Sequence, residues 1–276
     1  MLASIFDTGM YDIASDEEGT KEMATGTGRL VIIATPIGNL EDLTYRAARL
    51  LGEVDALACE DTRHTRIILD RYQIRKPEIM FSYHEYNEDR AANRILGLLE
   101  EGLLVGVCSN AGCPGVSDPG YLAVSRAVER GFAVEALPGA SAVLTALLAS
   151  GLPTSSFTFK GFPPKKPGRR RAFLEMERDL PHTLILYETP HRVLPLLQTA
   201  LEVLGDRMTA VCIELTKMFE DVRHGHLSEI IGALTGVKIK GEVVVVIAGN
   251  NPKFTAEAIE DRAEPDTDAC VDGDEG

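Results

Sequence analysis

The sequence predicts an α/β protein built of two lobes, with a ligand site in the cleft between them. Short apolar runs alternate with amphipathic stretches along most of the chain, a pattern typical of strands connected by helices. The alternation breaks once, in the segment GLPTS at 151–155, where glycine, proline and small polar residues indicate a joint. We therefore expect an N-terminal lobe over 28–152 and a C-terminal lobe over 153–251. Two terminal segments, 1–27 and 252–276, flank them.

The apolar runs predict strands in two series. In the first lobe they are LVIIA (30–34), DALACE (55–60), IMFSY (79–83), LLVGVCS (103–109) and FAVEAL (132–137). In the second lobe they are SFTFKGF (156–162), HTLILYE (182–188), TAVCIEL (209–215) and EVVVVIAG (242–249). The amphipathic stretches predict helices at about 43–52, 62–72, 87–101, 118–130, 140–150, 168–178, 190–204 and 227–235. Strands joined by helices pair in parallel, so their carboxyl ends meet at one edge of a sheet, where ligands bind.

The two ends of the chain carry most of its negative charge. The formal net charge is −14, of which residues 1–27 supply −5 and residues 257–276 supply −8. Both segments are polar and poor in aromatic residues, so we expect them to be disordered. The part between them is close to neutral, and the total charge therefore does not exclude a nucleic acid as partner.

Other protein classes are disfavoured by what the sequence lacks. No apolar stretch approaches 18 residues, and the N-terminus has no basic region followed by an apolar one, so we expect neither a membrane span nor a signal peptide. The five cysteines are scattered without a C-x-x-C pair, which favours a reducing cytoplasm over a disulfide framework. Neither H-E-x-x-H nor G-x-S-x-G occurs, so we expect no metal site and no hydrolase triad.

Three loops rich in small residues follow predicted strands of the first lobe. They are TPIGN (35–39), SNAGCPGVSDPG (109–120) and LPGASA (137–142). Glycine permits close backbone approach and positive φ, while proline fixes φ and removes a donor, so these loops favour a rigid and open backbone path. None contains G-x-G-x-x-G or a Walker motif. We expect the three loops to form the rim of a site for a polar or cationic small molecule.

Two acids in or beside these loops also have a plain structural interpretation. Asp42 is placed to cap a helix that starts near Leu43, and Asp118 to cap a helix that starts at Pro119. Capping explains Asp118 and Pro119, but it does not explain the preceding residues NAGCPG. Those residues are the part of the loop that most favours a ligand.

Charged residues and histidines cluster at three predicted strand–helix junctions. The clusters are CEDTRHTR (59–66), YHEYNEDR (83–90) and YETPHR (187–192). Asp61, Asn87 and Thr189 are each placed to cap a helix. The clusters hold more charged and imidazole groups than capping needs, so both a structural and a catalytic role stay open.

A basic segment lies early in the second lobe. KGFPPKKPGRRR, at 160–171, has six cations and no acid, three prolines that favour an extended path, and Phe162 as an apolar face. Like charges this close repel one another unless a polyanion meets them, which favours contact with a phosphodiester backbone. The alternative is a solvated loop that leads into a helix.

Together these stretches resemble the tetrapyrrole-methylase-like group of S-adenosylmethionine-dependent methyltransferases. Within that group they are most similar to the enzymes that methylate a cytidine 2′-hydroxyl in 16S ribosomal RNA. The matching segments are ATPIGNLEDLTYRA, EDTRHT, SYHEYNE, SNAGCPGVSDPG, LPGASA, SGLPTSSFTFKGFPPKK and LYETPHR. The resemblance implies two lobes of the tetrapyrrole methylase type, S-adenosylmethionine bound in the cleft, a homodimer, and 16S ribosomal RNA within the small subunit as partner.

The resemblance also implies roles for individual residues. Donor-binding residues would be Pro36, Gly38, Asn110, Ala111, Gly112, Pro114, Val116, Ser141, Ala142 and Tyr187, with the edge of GEVVVVIAG closing the pocket. RNA phosphates would contact Arg63, His64, Lys165, Lys166, Arg169 and Arg170. A ribose hydroxyl needs a general base, and the candidates are Asp61, His84, Glu85 and Glu188. The sequence does not choose among these four.

The chain departs from the family pattern at three loop positions. Asn110, Cys113 and Ala140 stand where the family generally has aspartate, threonine and proline. Asn110 removes a negative charge beside the expected cation. One alternative function therefore stays open, that of a non-catalytic RNA-binding protein that has lost its donor site. A methylase of a small acceptor such as a tetrapyrrole is the other alternative, and it would not need the basic segment.

Overall fold

The computed structural model describes residues 28–251 and 254. The first sheet contains five parallel strands in the order β3-β2-β4-β1-β5. The strands are β1 (Arg29–Ile33), β2 (Ala56–Cys59), β3 (Ile79–Ser82), β4 (Leu104–Cys108) and β5 (Ala133–Ala136). The helices between and after them are α1 (Tyr45–Glu53), α2 (Thr62–Arg71), α3 (Glu88–Glu100), α4 (Tyr121–Glu129) and α5 (Ala142–Ala149). The parallel sheet expected for the first lobe is confirmed.

Helices cover both faces of this sheet, as an apolar parallel sheet requires. Residues of α3 and α4, such as Ile95 and Ala123, pack with Leu30 and Val107 on one face. Residues of α1 and α2 pack on the other face with alternate residues of the same strands. Since all five strands run the same way, their carboxyl ends and the three small-residue loops lie along one edge.

The second sheet has the order β6-β7-β10-β8-β9. Its strands are β6 (Phe157–Phe159), β7 (Thr183–Glu188), β8 (Met208–Ile213), β9 (Asp221–His226) and β10 (Val243–Ile247), and its helices are α6 (Pro167–Glu175), α7 (Val193–Leu204) and α8 (Leu227–Leu234). Only β6 and β7 pair in parallel, so the expectation of parallel pairing is wrong for most of this sheet. Only a short segment without a helix joins β8 to β9, so the two strands pair antiparallel.

The two lobes share part of their core. From α5, Val143, Ala146 and Leu147 pack with Ile185 and Val244 of the second sheet. The strands of the first sheet precede the predicted joint at 151–155 in the sequence, and those of the second sheet follow it. Helix α5 also precedes the joint, but its buried residues pack against the second sheet. The predicted disordered segments, 1–27 and 252–276, lie outside the described residues except for Phe254.

Two predicted helix caps are wrong. Asn39, not Asp42, caps a 3₁₀ turn at Leu40–Asp42, and Thr44 caps α1. Helix α4 begins at Tyr121 behind Gly120, whose φ of +153° turns the chain, so Asp118 does not cap it. This frees the Asp118 side chain for another role.

Within the described ranges, no helix combines the length and the apolar character needed to cross a bilayer.

Candidate functional site

The first two small-residue loops are joined by a backbone bridge. Thr35 and Gly112 each donate an N–H to the other's carbonyl, at 2.9 Å in both directions. The Thr35 hydroxyl donates to the carbonyl of Ser109 at 3.1 Å, which ties the loop to the end of β4. Gly112 has φ +76°, a conformation that a residue with a side chain adopts only under strain.

The third loop is held against the other two. The Cys113 thiol lies 3.5 Å from the carbonyl of Ala140, so two of the departures from the family pattern contact each other. Gly139 passes so close to β1 that a Cβ there would lie 2.6 Å from the Ala34 Cβ. Ser141 then caps α5. The three loops predicted to form one rim do lie together.

A cavity of about 360 Å³ opens between these loops and the second lobe. Its walls come from the carboxyl ends of β4, β7 and β8, from the start of α5 and from the start of β10. Because β10 runs antiparallel to β7 and β8, its first residues lie at the edge where those strands end. The lining residues are Ile37, Glu60, Asn110, Ala111, Gly112, Cys113, Val116, Ser117, Asp118, Ser141, Ala142, Phe162, Tyr187, Glu188, Thr189, Cys212, Leu215, Gly241, Glu242, Val243 and Val244.

Most residues predicted to bind the donor lie on these walls. They are Asn110, Ala111, Gly112, Val116, Ser141, Ala142 and Tyr187. Pro36 and Pro114 are buried behind the wall. Gly38 instead contacts the second lobe, where a Cβ would overlap Lys217 and lie 2.8 Å from the Thr216 hydroxyl. These three residues shape the loops and do not line the cavity.

One wall is aromatic. The Tyr187 ring centroid lies 4.8 Å from that of Phe159 and 5.6 Å from that of Phe162, both in edge-to-face geometry. Burial raises the pKa of Tyr187 to about 12, and the charges of Asp118, Cys113 and Glu242 raise it in the same direction. The phenol is therefore neutral at physiological pH, and the wall offers flat apolar surface to a ring.

The cavity is also acidic. Four carboxyl groups line it: Glu60, Asp118, Glu188 and Glu242. Burial raises the pKa of Asp118 to about 6, and the nearby charges of Glu60 and Glu242 add to the rise. A buried carboxyl among like charges gains from a cationic ligand. The Asn110 Oδ1 is buried and accepts no hydrogen bond in the described part of the chain, so it is available to a ligand donor group.

Two of the predicted base candidates are already engaged. Asp61 caps α2 through the Arg63 N–H at 2.8 Å, and its carboxylate pairs with the Arg63 guanidinium at 2.7 Å. These contacts lower the pKa of Asp61 strongly. Glu188 is 3% exposed, accepts from the Thr189 N–H at 2.7 Å, and lies 2.6 Å from Arg192. Asp61 does not line the cavity, whereas Glu188 does.

The other two base candidates, His84 and Glu85, follow β3 and do not line the cavity. The Tyr83 N–H donates to the Cys59 carbonyl at 2.7 Å, so this segment lies next to Glu60. The His84 Nδ1 is buried with no hydrogen-bond partner in the described chain. Asn87 stands at the start of α3 but makes no side-chain capping hydrogen bond to it; its Oδ1 instead accepts from the His84 N–H at 2.9 Å. His84 and Glu85 therefore lie beside the part of the cavity wall that Glu60 forms.

The basic segment begins at the cavity wall with Phe162 and continues over the surface. Lys165, Lys166 and Arg169 are exposed, as are Arg63 and His64 on the first turn of α2.

Some cations of the segment are already engaged. Lys160 pairs with the buried Glu177 at 2.9 Å. Arg170 is 8% exposed, and its Nε donates to the Thr199 hydroxyl at 3.0 Å. Arg170 lies three residues after Pro167 and four before Leu174, so it shares the buried face of α6 with Leu174. The expectation that Arg170 contacts RNA phosphate is therefore wrong.

Sequence reasoning missed several contributors to the cavity, among them Ile37, Glu60 and Asp118. Ile37 lies inside TPIGN, but no polar group marks it. Glu60 is the first residue after the buried run ALAC, and its place at a strand end was the available signal. Asp118 was interpreted as a cap, since SDPG before an amphipathic stretch fits both roles.

Comparison with known proteins agrees with this geometry. Residues 29–231 match the family model described as Tetrapyrrole (Corrin/Porphyrin) Methylases. The chain is 44% identical over 232 residues to ribosomal RNA small subunit methyltransferase I of Halalkalibacterium halodurans, covering 84% of this chain and 80% of that one. It is 40% identical over 222 residues to the protein of the same name from Thermotoga maritima, covering 80% of this chain and 99% of that one.

The fold also matches a solved structure. Uroporphyrin-III C-methyltransferase from Thermus thermophilus, crystallised with S-adenosylhomocysteine, superposes with a TM-score of 0.54 at 20% identity. The match covers 80% of this chain and 97% of that one. The family model spans most of the described residues. The two relatives are 44% and 40% identical to this chain, each over at least 80% of its length. The chain therefore belongs to the tetrapyrrole methylase family, and within it to the group of the ribosomal RNA small subunit methyltransferase I proteins.

Proposed function

We propose that the protein transfers a methyl group from S-adenosylmethionine to the ribose 2′-hydroxyl of a decoding-centre cytidine in 16S ribosomal RNA. The observation that carries the proposal is the cavity between the lobes, where three joined loops, an aromatic wall and a group of carboxylates meet. The relatives' names support ribosomal RNA as the acceptor.

The cavity fits the donor's chemistry. The donor brings a methyl group on a positively charged sulfur, together with an adenine ring. Phe162 and Tyr187 offer the flat apolar surface that an adenine needs. The carboxylates of Glu60 and Glu242 give the negative potential that a sulfonium needs. The Asn110 Oδ1 is an unused acceptor for a donor N–H or O–H group.

Positioning supplies most of the rate enhancement in this proposal, because the methyl group arrives already activated. Holding two reactants in line lowers the barrier by roughly 7–11 kcal/mol. The Thr35–Gly112 bridge and the left-handed backbone of Gly112 fix the loops that would hold the donor. Pro36 and Pro114 act from behind the wall, and Gly38 acts at its contact with the second lobe, by fixing the course of the same loops.

The RNA is held by cations and aromatic surface around the mouth of the cavity. Lys165, Lys166 and Arg169 lie just beyond Phe162, and Arg63 and His64 lie on α2 after Glu60. Phosphate contacts of this kind position RNA without reading its sequence. A methylase of a small acceptor has no use for this surface, which favours the RNA acceptor over that alternative.

The departures from the family pattern are compatible with donor binding. Asn110 has lost a charge, but Glu60 accepts its backbone N–H at 2.9 Å and brings a carboxylate to the same place. Cys113 and Ala140 satisfy each other. The cavity is open and keeps three further acids, which argues against an RNA binder without a donor.

We further propose that the protein works as a cytoplasmic homodimer. A cytoplasmic location follows from a ribosomal substrate. An exposed apolar stripe on α5, where Leu144 is 49% and Leu148 is 75% exposed, supports a contact with a second copy. Sedimentation should show a dimer that Leu144→Ser with Leu148→Ser converts to monomer, and a wild-type monomer would refute it.

Labelled methyl transfer tests the proposal. Small ribosomal subunits and naked 16S RNA, both lacking the modification, are incubated with the protein and labelled donor, and the modified nucleotide is mapped. We expect label on one cytidine ribose. Transfer to a tetrapyrrole but not to RNA would support the small-acceptor alternative. Calorimetry with S-adenosylmethionine completes the test, since the absence of binding heat would support the non-catalytic RNA binder.

A further inference from the structure

Asp118 is the uncommitted carboxyl group of the cavity. It lies on the wall, half-buried, in the loop between β4 and α4. Within the described residues no side chain or backbone group donates a hydrogen bond to it, and no cation pairs with it. Because α4 begins three residues later, capping does not explain it either.

The other carboxylates near the cavity are all engaged. Glu60 accepts the Asn110 N–H at 2.9 Å, Glu188 lies 2.6 Å from Arg192, and Glu242 lies 3.0 Å from the Lys217 ammonium. A carboxylate already bound by a cation or an N–H is a weaker base, since the charged form is stabilised. The same holds for Asp61 beside Arg63.

The groups that face Asp118 keep it a competent base. They are the carboxylates of Glu60 and Glu242 and the Tyr187 phenol. Burial and, after it, the two carboxylates favour the protonated form, and bring the pKa of Asp118 to about 6. A base with a pKa just below the working pH is still ionised and accepts a proton more readily than an ordinary carboxylate.

We propose that Asp118 is the general base of the methyl transfer, a catalytic residue that takes the proton of the acceptor hydroxyl. The inference rests on the proposed function. As the hydroxyl oxygen forms its bond to the methyl carbon, the carbon–sulfur bond of the donor breaks and its electron pair stays on sulfur. The hydroxyl proton passes to the Asp118 carboxylate and then to water. The products are a methyl ether, a neutral thioether and one released proton.

The experiment compares wild type with Asp118→Asn, which keeps the shape of the side chain and removes the base. We expect kcat for RNA methylation to fall about 10²–10⁴-fold. The affinities for S-adenosylmethionine and S-adenosylhomocysteine, from calorimetry, should stay within a few fold. Glu101→Gln is the matched control, because Glu101 is exposed in the turn after α3 at the opposite edge of the sheet. It should retain wild-type activity.

A second measurement does not depend on any variant. In wild type, kcat/KM for the donor should rise with pH through about 6, because only the ionised carboxyl accepts a proton. A flat wild-type profile between pH 5 and 8 would overturn the inference.

The remaining outcomes are also decisive. Asp118→Asn with kcat near wild type and weakened binding of the cationic donor alone would assign Asp118 to holding the sulfonium, and would overturn the role as base. Wild-type protein that methylates RNA while Asp118→Asn is equally active leaves the proposed function standing and removes only the inference. Wild-type protein that is inactive on RNA overturns both.

Discussion

Thr35 and Gly112 exchange two backbone hydrogen bonds, each 2.9 Å long, which fasten the loop after β1 to the loop after β4. The pairing requires the left-handed backbone of Gly112, at φ +76°. Gly112→Ala should therefore strain the loop and lower the free energy of unfolding by about 1–2 kcal/mol. It should also weaken S-adenosylmethionine binding in calorimetry, since Gly112 lines the cavity.

Gly236→Ala is the matched control for this change. Gly236 has nearly the same φ, +78°, and a Cβ there would meet nothing within 4 Å. We expect a similar loss of stability in denaturant unfolding with no change in donor affinity. Equal donor affinity in both variants would show that the bridge does not hold the donor.

Asp118 should make stability depend on pH. Its folded-state pKa, about 6, lies above the value of about 4 expected in the unfolded chain, so the folded state binds the proton more tightly. The unfavourable contribution is absent below about pH 4, grows as pH rises, and is complete above about pH 6. Asp118→Asn removes it, and should be more stable than wild type by on the order of 1 kcal/mol at pH 8, after allowance for solvent screening.

Urea unfolding at pH 4, 6 and 8 measures this difference directly. The advantage of Asp118→Asn should vanish near pH 4, while Glu101→Gln should follow wild type throughout. An advantage that is the same at all three pH values would contradict the assigned pKa.

The exposed cations of the basic segment should act on RNA alone. The triple variant Lys165→Ala, Lys166→Ala and Arg169→Ala should lose RNA methylation while it keeps donor affinity, because none of the three lines the cavity. Its RNA affinity should also depend less steeply on salt, by roughly 0.7–0.9 per lost phosphate contact in a log–log plot.

A control with the same loss of charge is available at the opposite edge of the first sheet. Arg75, Lys76 and Arg130 lie before β3 and β5, away from the cavity mouth. Their triple alanine variant should methylate RNA at the wild-type rate. If both triple variants lose activity equally, net charge and not position explains the effect.

Arg170 should behave differently from its neighbour. Arg170→Ala removes a buried cation and its hydrogen bond to Thr199, so unfolding should become easier by about 1.5–3 kcal/mol. Arg169→Ala, one residue earlier and exposed, should change stability by less than about 0.5 kcal/mol. Thermal unfolding of the two single variants tests this contrast. Equal melting temperatures would refute the buried role.

Tyr86 should act as a stacking surface for an RNA base. It is 88% exposed, the neighbouring Glu85 carboxylate raises the pKa of its hydroxyl, and its ring centroid lies 6.0 Å from that of His84. Tyr86→Ala should weaken RNA binding by about 1–3 kcal/mol, whereas Tyr86→Phe should retain it. Fluorescence anisotropy with a labelled RNA fragment measures both. Loss in both variants would assign the effect to the hydroxyl instead of the ring.

Local patterns predicted the elements well, because most of the predicted strands contain a run of apolar residues that is buried in the structure. The strands β5 and β6 were predicted although none of their residues is buried. The one strand missed, β9, has the sequence DVRHGH and lies at the edge of the second sheet. Polar edge strands lack the apolar run that marks central ones. The direction of β10 was predicted wrongly for the same reason. Without β9, strands and helices alternate through the second lobe as in a parallel sheet, whereas β9 reverses the chain after β8.

The site was predicted where composition is unusual and missed where it is ordinary. NAGCPG contains more glycine and proline than a turn needs, and four of its residues, Asn110 to Cys113, line the cavity. Asp118 was missed because a carboxylate before Pro-Gly fits a helix cap. The backbone turn at Gly120 decides between the two roles, and φ is not visible in the sequence. Arg170 was misassigned for a related reason: three adjacent arginines look alike until the register of α6 is known.

The central position of β10 governs the order in which the molecule can be completed during synthesis. The strand is the last of the described chain, yet it lies between β7 and β8, which each pair with β10 and not with each other. A nascent chain that ends before residue 243 leaves β7 and β8 each with an unpaired edge, and leaves the cavity without the wall that Val243 and Val244 supply. We therefore expect the cavity to form only after β10 has been synthesised and has left the ribosome.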